Sequence, residues 1–441
     1  MTRTSFQTEY EAKRLAPADA AELIRSGTDM SMGMALGEPP ALLRAINARL
    51  EAGNLTDLRL WYFHSMPTAA ETLLRYEMME HIHPHCMFLG PTERELQRRG
   101  EQDGKRVLNF VPVAFSDAPR LLKENVQLDT FITTVAPMDK HGFMSLGTNN
   151  DYASTAARAA KSLIVEVNAN MPRVFGESQI HISEVDALIE NDEALFEMPM
   201  RTATADEVRI GELIAEHVRD GSCLQMGIGA LPNEVCRHLA GRSDLGIHTE
   251  LLSPGLVDLI DAGAVTNTRK TTFPKKTVFT FALGNKRMYD LLDDNPAMAS
   301  HPVNVVNDPR HVAKNDNVVS INATLEVDLT GACNSENISN RQYSGSGGQL
   351  DFVRGARASR NGRSFIACTS TAKHGTVSRI VPELSGPVTT PRNDVDTIVT
   401  EYGMVRLIGL SGMERAKAMI SIAHPDHRKD LEQAARRMCL I

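Results

Sequence analysis

The sequence predicts an α/β protein made of two similar domains with parallel sheets. The first observation is a repeat: segments 18–50 and 206–239 each contain a helical pattern, a glycine, a short strand pattern, a glycine-containing loop with proline, and a second helical pattern. Superposing Gly27 on Gly221 aligns the two copies without a gap through that loop. The second observation is that strand patterns alternate with helical patterns, which is typical of parallel sheets. The third is the length of 441 residues, which suits two or three domains.

The second copy of the repeat shows the local chemistry of a helix–strand–helix unit. Four apolar side chains recur at helical spacing: Ile210, Leu213, Ile214 and Val218. Gly221 is then expected to end the helix, because glycine readily adopts the conformation of a C-terminal cap. The apolar run 223–226 predicts a buried strand. Pro232 fits the first turn of the next helix, where a backbone N–H is not needed.

A proline and a polar, threonine-rich stretch at residues 195–205 separate the two copies. We therefore predict an N-terminal domain over residues 1–200 and a C-terminal domain over residues 201–441.

Composition and charge narrow the class of protein. Apolar residues make up 42% of the chain and charged residues 23%, as in soluble globular proteins. The net charge of −8 argues against nonspecific nucleic-acid binding, which needs a basic surface. No apolar run has the length of a signal peptide or of a membrane span. Six dispersed cysteines without a CxxC pair indicate reduced thiols, so a cytoplasmic protein without membrane contact is expected.

The loop after the second-copy strand reads QMGIGALPNEV. Gly227 and Gly229 would let the backbone approach a ligand, and the following helix would offer free N–H groups to an anion. A tight turn between strand and helix explains the same glycines equally well. The loop alone is therefore a weak indication of a binding site.

Glu250 follows a stretch of alternating apolar residues and precedes Ser-Pro-Gly, which indicates a turn. This pattern places Glu250 near the carboxyl end of a parallel strand, the edge at which ligands bind in open α/β sheets. A carboxylate there can act as nucleophile or base. A capping or ion-paired glutamate is the alternative interpretation.

Glycines interrupt the segment YSGSGGQLDFVRGA at Gly345, Gly347 and Gly348. Backbone N–H groups in such a turn can bind an anion or form an oxyanion hole. Farther along, Lys373 lies in the polar loop TSTAKHG and suits a phosphate, although most lysines in such loops are merely solvated.

The segment HIHPHC offers His81, His83, His85 and Cys86 as zinc ligands. Pro84 is expected to break the strand that would align them, and no other ligand cluster is evident. We therefore predict no metal site.

Taken together, the motifs QMGIGALPNEV, HTELLSPG, VNDP, EVDLTG, YSGSGGQLDFVRGA, STAKHGTVSRIVP, VTEYG and IAHPDHR resemble those of the acetyl-CoA hydrolase/transferase family. MDKHGFMSLG and EVNANMPRVFG extend the resemblance to nearly the whole chain. Within the family, the likeness is to the branch that contains 4-hydroxybutyrate and itaconate CoA-transferases. The resemblance implies two CoA-transferase-type α/β domains with the active site in the cleft between them, in a homodimer or higher homo-oligomer.

The resemblance also implies roles for single residues. The nucleophilic glutamate of the family falls on Glu250, the glycine whose N–H faces the thioester oxygen on Gly348, and the asparagine that faces the reacting carbonyl on Asn307. A second active-site acid falls on Glu401. The implied CoA-binding residues are Gly227, Ile228, Gly229, Ala230, Leu231, Gly347, Gly348 and Lys373.

The sequence departs from the family pattern in two places. Pro254 stands where relatives often have an acidic residue, and Met32 and Met34 stand where relatives can have glycine. The loop that contains both methionines is expected to reach the site from the N-terminal domain. Their bulk would reshape the pocket for the acid substrate.

The implied activity is transfer of coenzyme A from succinyl-CoA or acetyl-CoA to a short-chain acid such as itaconate, 4-hydroxybutyrate or butyrate. It would proceed through a covalent glutamyl-CoA thioester with ping-pong kinetics and without a tightly bound cofactor. The alternatives are an acyl-CoA hydrolase that uses the same glutamate, a noncatalytic metabolite-binding protein, and a sugar-phosphate isomerase of similar fold.

Overall fold

The computed structural model describes residues 4–441, and the chain forms two compact units. The first unit comprises the residues up to Met198 together with Thr280–Val305, and the second comprises Pro199–Phe279 and Val306–Ile441. The domain limits 1–200 and 201–441 stay a prediction; the structure adds that the segment Thr280–Val305 packs with the first unit.

The first unit is built on a seven-stranded sheet in which all neighbouring strands are parallel. From edge to edge the strands are Ala187–Glu190, Ser162–Val167, Thr130–Val135, Asp29–Met32, Leu58–Tyr62, Ile82–Cys86 and Asn109–Phe110. The interior strand Thr130–Val135 is buried along its whole length, as expected for a parallel sheet covered on both faces.

Helices of the first unit commonly begin at proline, because the first turn of a helix does not need that backbone N–H. The α-helices of five or more residues are Thr4–Lys13, Pro17–Ala21, Pro40–Glu51, Pro67–Glu71, Pro91–Gln102, Ala153–Ala159 and Lys286–Leu292. Short strands complete the unit: Phe143–Ser145 with Gln179–His181, and Phe175–Gly176 with Met298–Ser300.

The second unit is built on a six-stranded sheet whose neighbours are parallel except for a hairpin at one edge. The strands in order are Gly246–Ile247, Cys223–Met226, Val318–Ala323, Arg363–Ala367, Thr397–Thr400 and Gly403–Arg406. The predicted α/β class with two units based on parallel sheets is confirmed.

Several helices of the second unit begin with a capping box or with proline. The α-helices are Ala205–Ala215, Ala230–Leu239, Pro254–Asp261, Pro309–Val312, Gln349–Ala358, Gly412–Ser421 and Pro425–Arg437. At the start of the first, the Thr204 hydroxyl accepts a hydrogen bond from the Glu207 N–H, and the Glu207 carboxylate accepts one from the Thr204 N–H. This capping box satisfies donors that the helix itself leaves unpaired.

The predicted repeat corresponds to equivalent strands in the two sheets. Gly27 and Gly221 have the same backbone φ of +75°. Two residues after each glycine begin the strands Asp29–Met32 and Cys223–Met226, and each strand lies between two parallel neighbours.

The equivalence continues into the loops that follow these strands. The Gly33 N–H donates to the Ile132 carbonyl at 2.8 Å, and the Gly227 N–H donates to the Ile321 carbonyl at 2.8 Å. In both units the first loop residue thus extends the ladder to the neighbouring strand.

Three local predictions were wrong. The helix before Gly221 ends at Ala215, so Gly221 forms the turn that leads into the strand and does not cap the helix. Pro254 does not begin a turn but is the first residue of a helix. Pro84 does not break its strand, because the side chains of Ile82–Cys86 alternate regularly through it.

No helix within residues 4–441 is long and apolar enough to cross a membrane.

Candidate active site

Four predicted site segments of the second unit follow the carboxyl ends of its parallel strands. Parallel strands end at one edge of a sheet, and ligands of open α/β sheets bind outside that edge. The segments are Gly227 after Cys223–Met226, Glu250 after Gly246–Ile247, Lys373 after Arg363–Ala367, and Glu401 after Thr397–Thr400.

The three residues predicted as catalytic come together around one carboxylate. Asn307 Nδ2 donates a hydrogen bond to Glu250 Oε2 at 2.6 Å, and the Gly348 backbone N–H donates to the same carboxylate. Asn307 is completely buried, while Glu250 is half-buried. Gly348 directly precedes the helix Gln349–Ala358. The glutamate therefore has two fixed donors and retains some access to solvent.

The surroundings of Glu250 raise its pKa to about 7. Withdrawal of the carboxylate from water is the largest cause, and the negative charge of Asp351 acts in the same direction. The hydrogen bonds from Asn307 and Gly348 lower the pKa and only partly compensate. A carboxylate with a pKa near neutrality is more basic than an ordinary glutamate, which suits a nucleophile.

Gly348 is required for space and Gly347 for conformation. The φ of Gly348 is −101°, which other residues adopt, but a Cβ at this position would overlap both Glu250 Oε2 and Asn307 Nδ2. Gly347 has a φ of +55°, in the left-handed region that favours glycine. The two glycines let the backbone N–H approach the carboxylate.

The loop of Gly227 to Leu231 has both buried and accessible residues. The Gly227 N–H is bound to the neighbouring strand and is not free for an anion. Ala230 and Leu231 are buried. The accessible features are the side chain of Ile228, which is 59% exposed, and the open space around Gly229.

Lys373 and Glu401 belong to one loop region. Lys373 is exposed at the turn between the short strands Thr371–Ala372 and Val377–Ser378. Glu401 accepts hydrogen bonds from the N–H and the hydroxyl of Ser370, which precedes that hairpin. Glu401 thus holds the loop that presents Lys373, and within residues 4–441 no hydrogen bond or ion pair joins Glu401 to Glu250.

Met32 and Met34 lie in the first unit and are both buried. Met32 belongs to the hydrophobic core beneath the sheet, and its carbonyl accepts a hydrogen bond from the Tyr152 hydroxyl at 2.7 Å. Met34 immediately precedes a 3-10 turn over Ala35–Gly37. Their effect on the acid pocket stays a prediction.

Sequence reasoning missed Asp351, a buried residue whose charge acts on Glu250. Its place in GGQLDF, three residues after Gly348, was the available signal. It also missed the buried amide pair of Gln225 and Asn322, which exchange hydrogen bonds of 3.2 and 3.1 Å at the strand ends next to Gly227. Nothing in the sequence pattern marked that pair.

Among residues 4–441 no three or more His, Cys, Asp or Glu side chains are arranged to hold a metal ion. His83 pairs with Asp57 at 3.0 Å, and His85 stacks on Trp61 with ring centroids 4.3 Å apart. Cys86 points to the other, buried face of the strand. His83 and His85 thus have structural partners.

Comparison with known proteins matches the chain to two family models. Residues 1–198 match the acetyl-CoA hydrolase/transferase N-terminal domain, and residues 284–435 match the corresponding C-terminal domain.

Individual relatives span almost the whole chain. The chain is 45% identical over 438 residues to succinyl-CoA:cyclohexane-1-carboxylate CoA transferase of Geobacter metallireducens, covering 99% of this chain and 98% of the relative. It is 39% identical over 425 residues to 4-hydroxybutyrate coenzyme A transferase of Clostridium kluyveri, covering 96% and 97%. The crystal structure of RipA from Yersinia pestis matches with 56% identity and a TM-score of 0.97, covering 99% of this chain and 100% of RipA.

Proposed function

The chain belongs to the acetyl-CoA hydrolase/transferase family, and from this premise we propose that it transfers coenzyme A from an acyl-CoA to a small carboxylic acid, with Glu250 as nucleophile. The observation that supports this role most directly is the Glu250 carboxylate held by Asn307 Nδ2 at 2.6 Å and by the Gly348 N–H. The two relatives described above are named CoA transferases and match nearly the full length of the chain, whereas relatives named acetyl-CoA hydrolase match about half of it.

In the first step, a Glu250 oxygen attacks the thioester carbon of the acyl-CoA. The C–S bond breaks, which gives a glutamyl–acyl anhydride and the CoA thiolate. The thiolate then attacks the side-chain carbonyl carbon of Glu250, the anhydride C–O bond breaks, and the donor acid leaves as a carboxylate. The enzyme is left as a glutamyl-CoA thioester, and an acceptor carboxylate reverses the same steps.

The geometry suits the step in which the thiolate attacks Glu250. In that tetrahedral stage negative charge develops on a Glu250 oxygen, and Asn307 Nδ2 and the Gly348 N–H already point at this carboxylate. Fixed donors that face the developing charge lower the barrier, each by roughly 2.7–4 kcal/mol in comparable sites.

The carboxyl-edge loops are proposed to bind the CoA. Ile228 offers an exposed apolar side chain beside the open space at Gly229, which suits the pantetheine arm. Lys373 offers a positive charge on an exposed turn, which suits a phosphate of the nucleotide. Ala230, Leu231 and Gly347 would act through their backbone.

Mass spectrometry of the intact protein tests the covalent route. Incubation with succinyl-CoA alone should increase the mass of the wild-type chain by the mass of one CoA minus one water. Addition of an acceptor acid should then remove this CoA adduct. Glu250→Ala and Glu250→Asp should show no adduct and lose transferase activity by roughly 10³-fold or more, with unchanged circular dichroism. Full activity in Glu250→Ala, or intersecting initial-rate lines without an adduct, would contradict the proposal.

The donor is proposed to be succinyl-CoA or acetyl-CoA, and the acceptor a short-chain acid such as itaconate, 4-hydroxybutyrate or butyrate. Itaconate with succinyl-CoA as donor is the leading candidate pair. Assays of these acids against both donors rank them, and a higher activity with butyrate than with itaconate would overturn that candidate. Free CoA released without any acceptor would favour a hydrolase.

We further propose a cytoplasmic homodimer or higher homo-oligomer without a tightly bound cofactor. Light scattering of the purified protein tests the oligomeric state, and a monomer would contradict it.

A further inference from the structure

The ring of His248 is buried two residues before Glu250 and is 2% exposed. His248 Nε2 lies 2.8 Å from the Val306 carbonyl oxygen. Because a carbonyl oxygen can only accept a hydrogen bond, Nε2 must carry the proton.

The other ring nitrogen faces a donor. His248 Nδ1 lies 3.4 Å from Asn315 Nδ2, and the Thr272 N–H donates to Asn315 Oδ1 at 3.0 Å. Because Asn315 Oδ1 accepts from Thr272, the amide nitrogen of Asn315 is the end that faces the histidine. His248 Nδ1 therefore accepts a hydrogen bond from Asn315 Nδ2. The network therefore selects the neutral ring with its proton on Nε2.

The hydrogen bond from His248 leads to Asn307, the residue that donates to the nucleophile Glu250. Val306, whose carbonyl the histidine binds, directly precedes Asn307, and Asn307 Nδ2 donates to Glu250 Oε2 at 2.6 Å. In the part of the chain that the structure describes, the buried Asn307 Oδ1 has no hydrogen-bond partner. The amide is thus oriented by its bond to Glu250 and by the position of its own backbone.

The backbone of His248 is fixed as well. Its N–H donates to the Leu224 carbonyl at 3.0 Å, so the residue is part of the sheet that positions Glu250. One side chain therefore joins the strand end that presents the nucleophile to the loop that presents Asn307.

We propose that His248 is a positioning residue, whose Nε2–H holds the Val306 carbonyl so that the Asn307 amide stays aimed at Glu250 during acyl transfer. The inference rests on the proposed transferase function. It concerns how the donor is aligned, because His248 itself need not touch either substrate.

Two substitutions with amide side chains distinguish the role of His248 Nε2 from that of Nδ1. In His248→Gln the amide nitrogen can reach the place of Nε2 and keep the bond to Val306. In His248→Asn the shorter amide reaches only the place of Nδ1. We expect His248→Asn to lower kcat roughly 10- to 100-fold with little change in KM for the acyl-CoA, and His248→Gln to stay within about threefold of wild type. Equal effects of the two variants would overturn the proposal.

A double-mutant cycle shows whether the effect acts through Asn307. In an Asn307→Ala background, His248→Asn should reduce kcat by less than about threefold, because the group it positions is already absent. The same loss in both backgrounds would reveal a general structural role and overturn the inference.

Nitrogen-15 spectra of the histidine rings report the tautomer in the wild-type protein, and His248→Gln serves only to assign the signal. The signal lost in His248→Gln should have the shifts of a neutral ring protonated at Nε2, and shifts of the Nδ1–H form would overturn the proposal. His301→Asn, the same change at a buried histidine of the first unit, is the matched control and should keep wild-type kcat. Absence of any transferase activity in the wild type would reject the proposed function, whereas an additive cycle in an active enzyme would reject only the role of His248.

Discussion

At the residue scale, the environment of Glu250 should appear directly in the pH dependence of catalysis. Its pKa is raised to about 7, and only the ionised form can attack a thioester. We therefore expect kcat/KM to fall as the pH decreases through about 7. A pH profile of kcat/KM with acyl-CoA as the varied substrate measures this decrease, which forms the acidic limb of the profile.

The two neighbours that act on this pKa in opposite directions provide the control. Asp351→Asn removes a negative charge and should move the acidic limb to lower pH, whereas Asn307→Ala removes a hydrogen bond to the carboxylate and should move it to higher pH. Shifts in the same direction, or none, would contradict the assignment of the limb to Glu250.

Gly348 should tolerate no side chain. A Cβ there would occupy the space of Glu250 Oε2 and Asn307 Nδ2, so Gly348→Ala must displace one of the two groups. We expect roughly 10²-fold or greater loss of kcat with a folded protein. The matched control is Gly412→Ala, at an exposed helix start with no atom within 4 Å of the added Cβ, and wild-type activity is expected there. Comparable losses in both variants would argue against the steric explanation.

At the scale of single elements, the capping box of the helix Ala205–Ala215 should contribute measurable stability. Thr204→Ala removes the hydroxyl that accepts from the Glu207 N–H and should cost about 1 kcal/mol. For a unit of this size the corresponding loss in melting temperature is about 2–4 °C, measured by calorimetry. Thr202→Ala, at an exposed neighbouring position, should leave the transition unchanged, and an equal shift would refute the cap.

Elements with a local pattern were predictable, and long-range associations were not. The strand Cys223–Met226 follows from its apolar run, and the matching of Gly27 with Gly221 follows from the repeat. The strand through Pro84 was missed because its register is set by the strand Leu58–Tyr62, which local propensity does not describe.

The candidate site shows the same limit. Asn307 lies 57 residues from Glu250, so only the resemblance to a family, and no local pattern, predicted that the two approach each other. The Gly227 N–H bonds to the neighbouring parallel strand, a tertiary partner that the loop sequence alone does not indicate.

At the scale of the whole molecule, the thiols should fall into two classes. Cys86, Cys223, Cys236, Cys333 and Cys368 are buried, and Cys439 is exposed. Burial raises the pKa of the buried thiols, which suppresses the reactive thiolate. We expect a thiol reagent to modify one cysteine of the native protein rapidly and six after denaturation, counted by mass spectrometry. Several fast modifications in the native state would contradict this burial.

The segment Thr280–Val305 leaves the second half of the chain and returns to the first unit, so the polypeptide passes between the units three times. When residue 198 emerges from the ribosome, the chain therefore still lacks some of the strands and helices that the first unit needs. That unit can be completed only after more than a hundred further residues have emerged. Synthesis of this protein consequently cannot complete the first unit before much of the second unit has emerged, and a gene cut after residue 198 would encode a first unit that lacks Thr280–Val305.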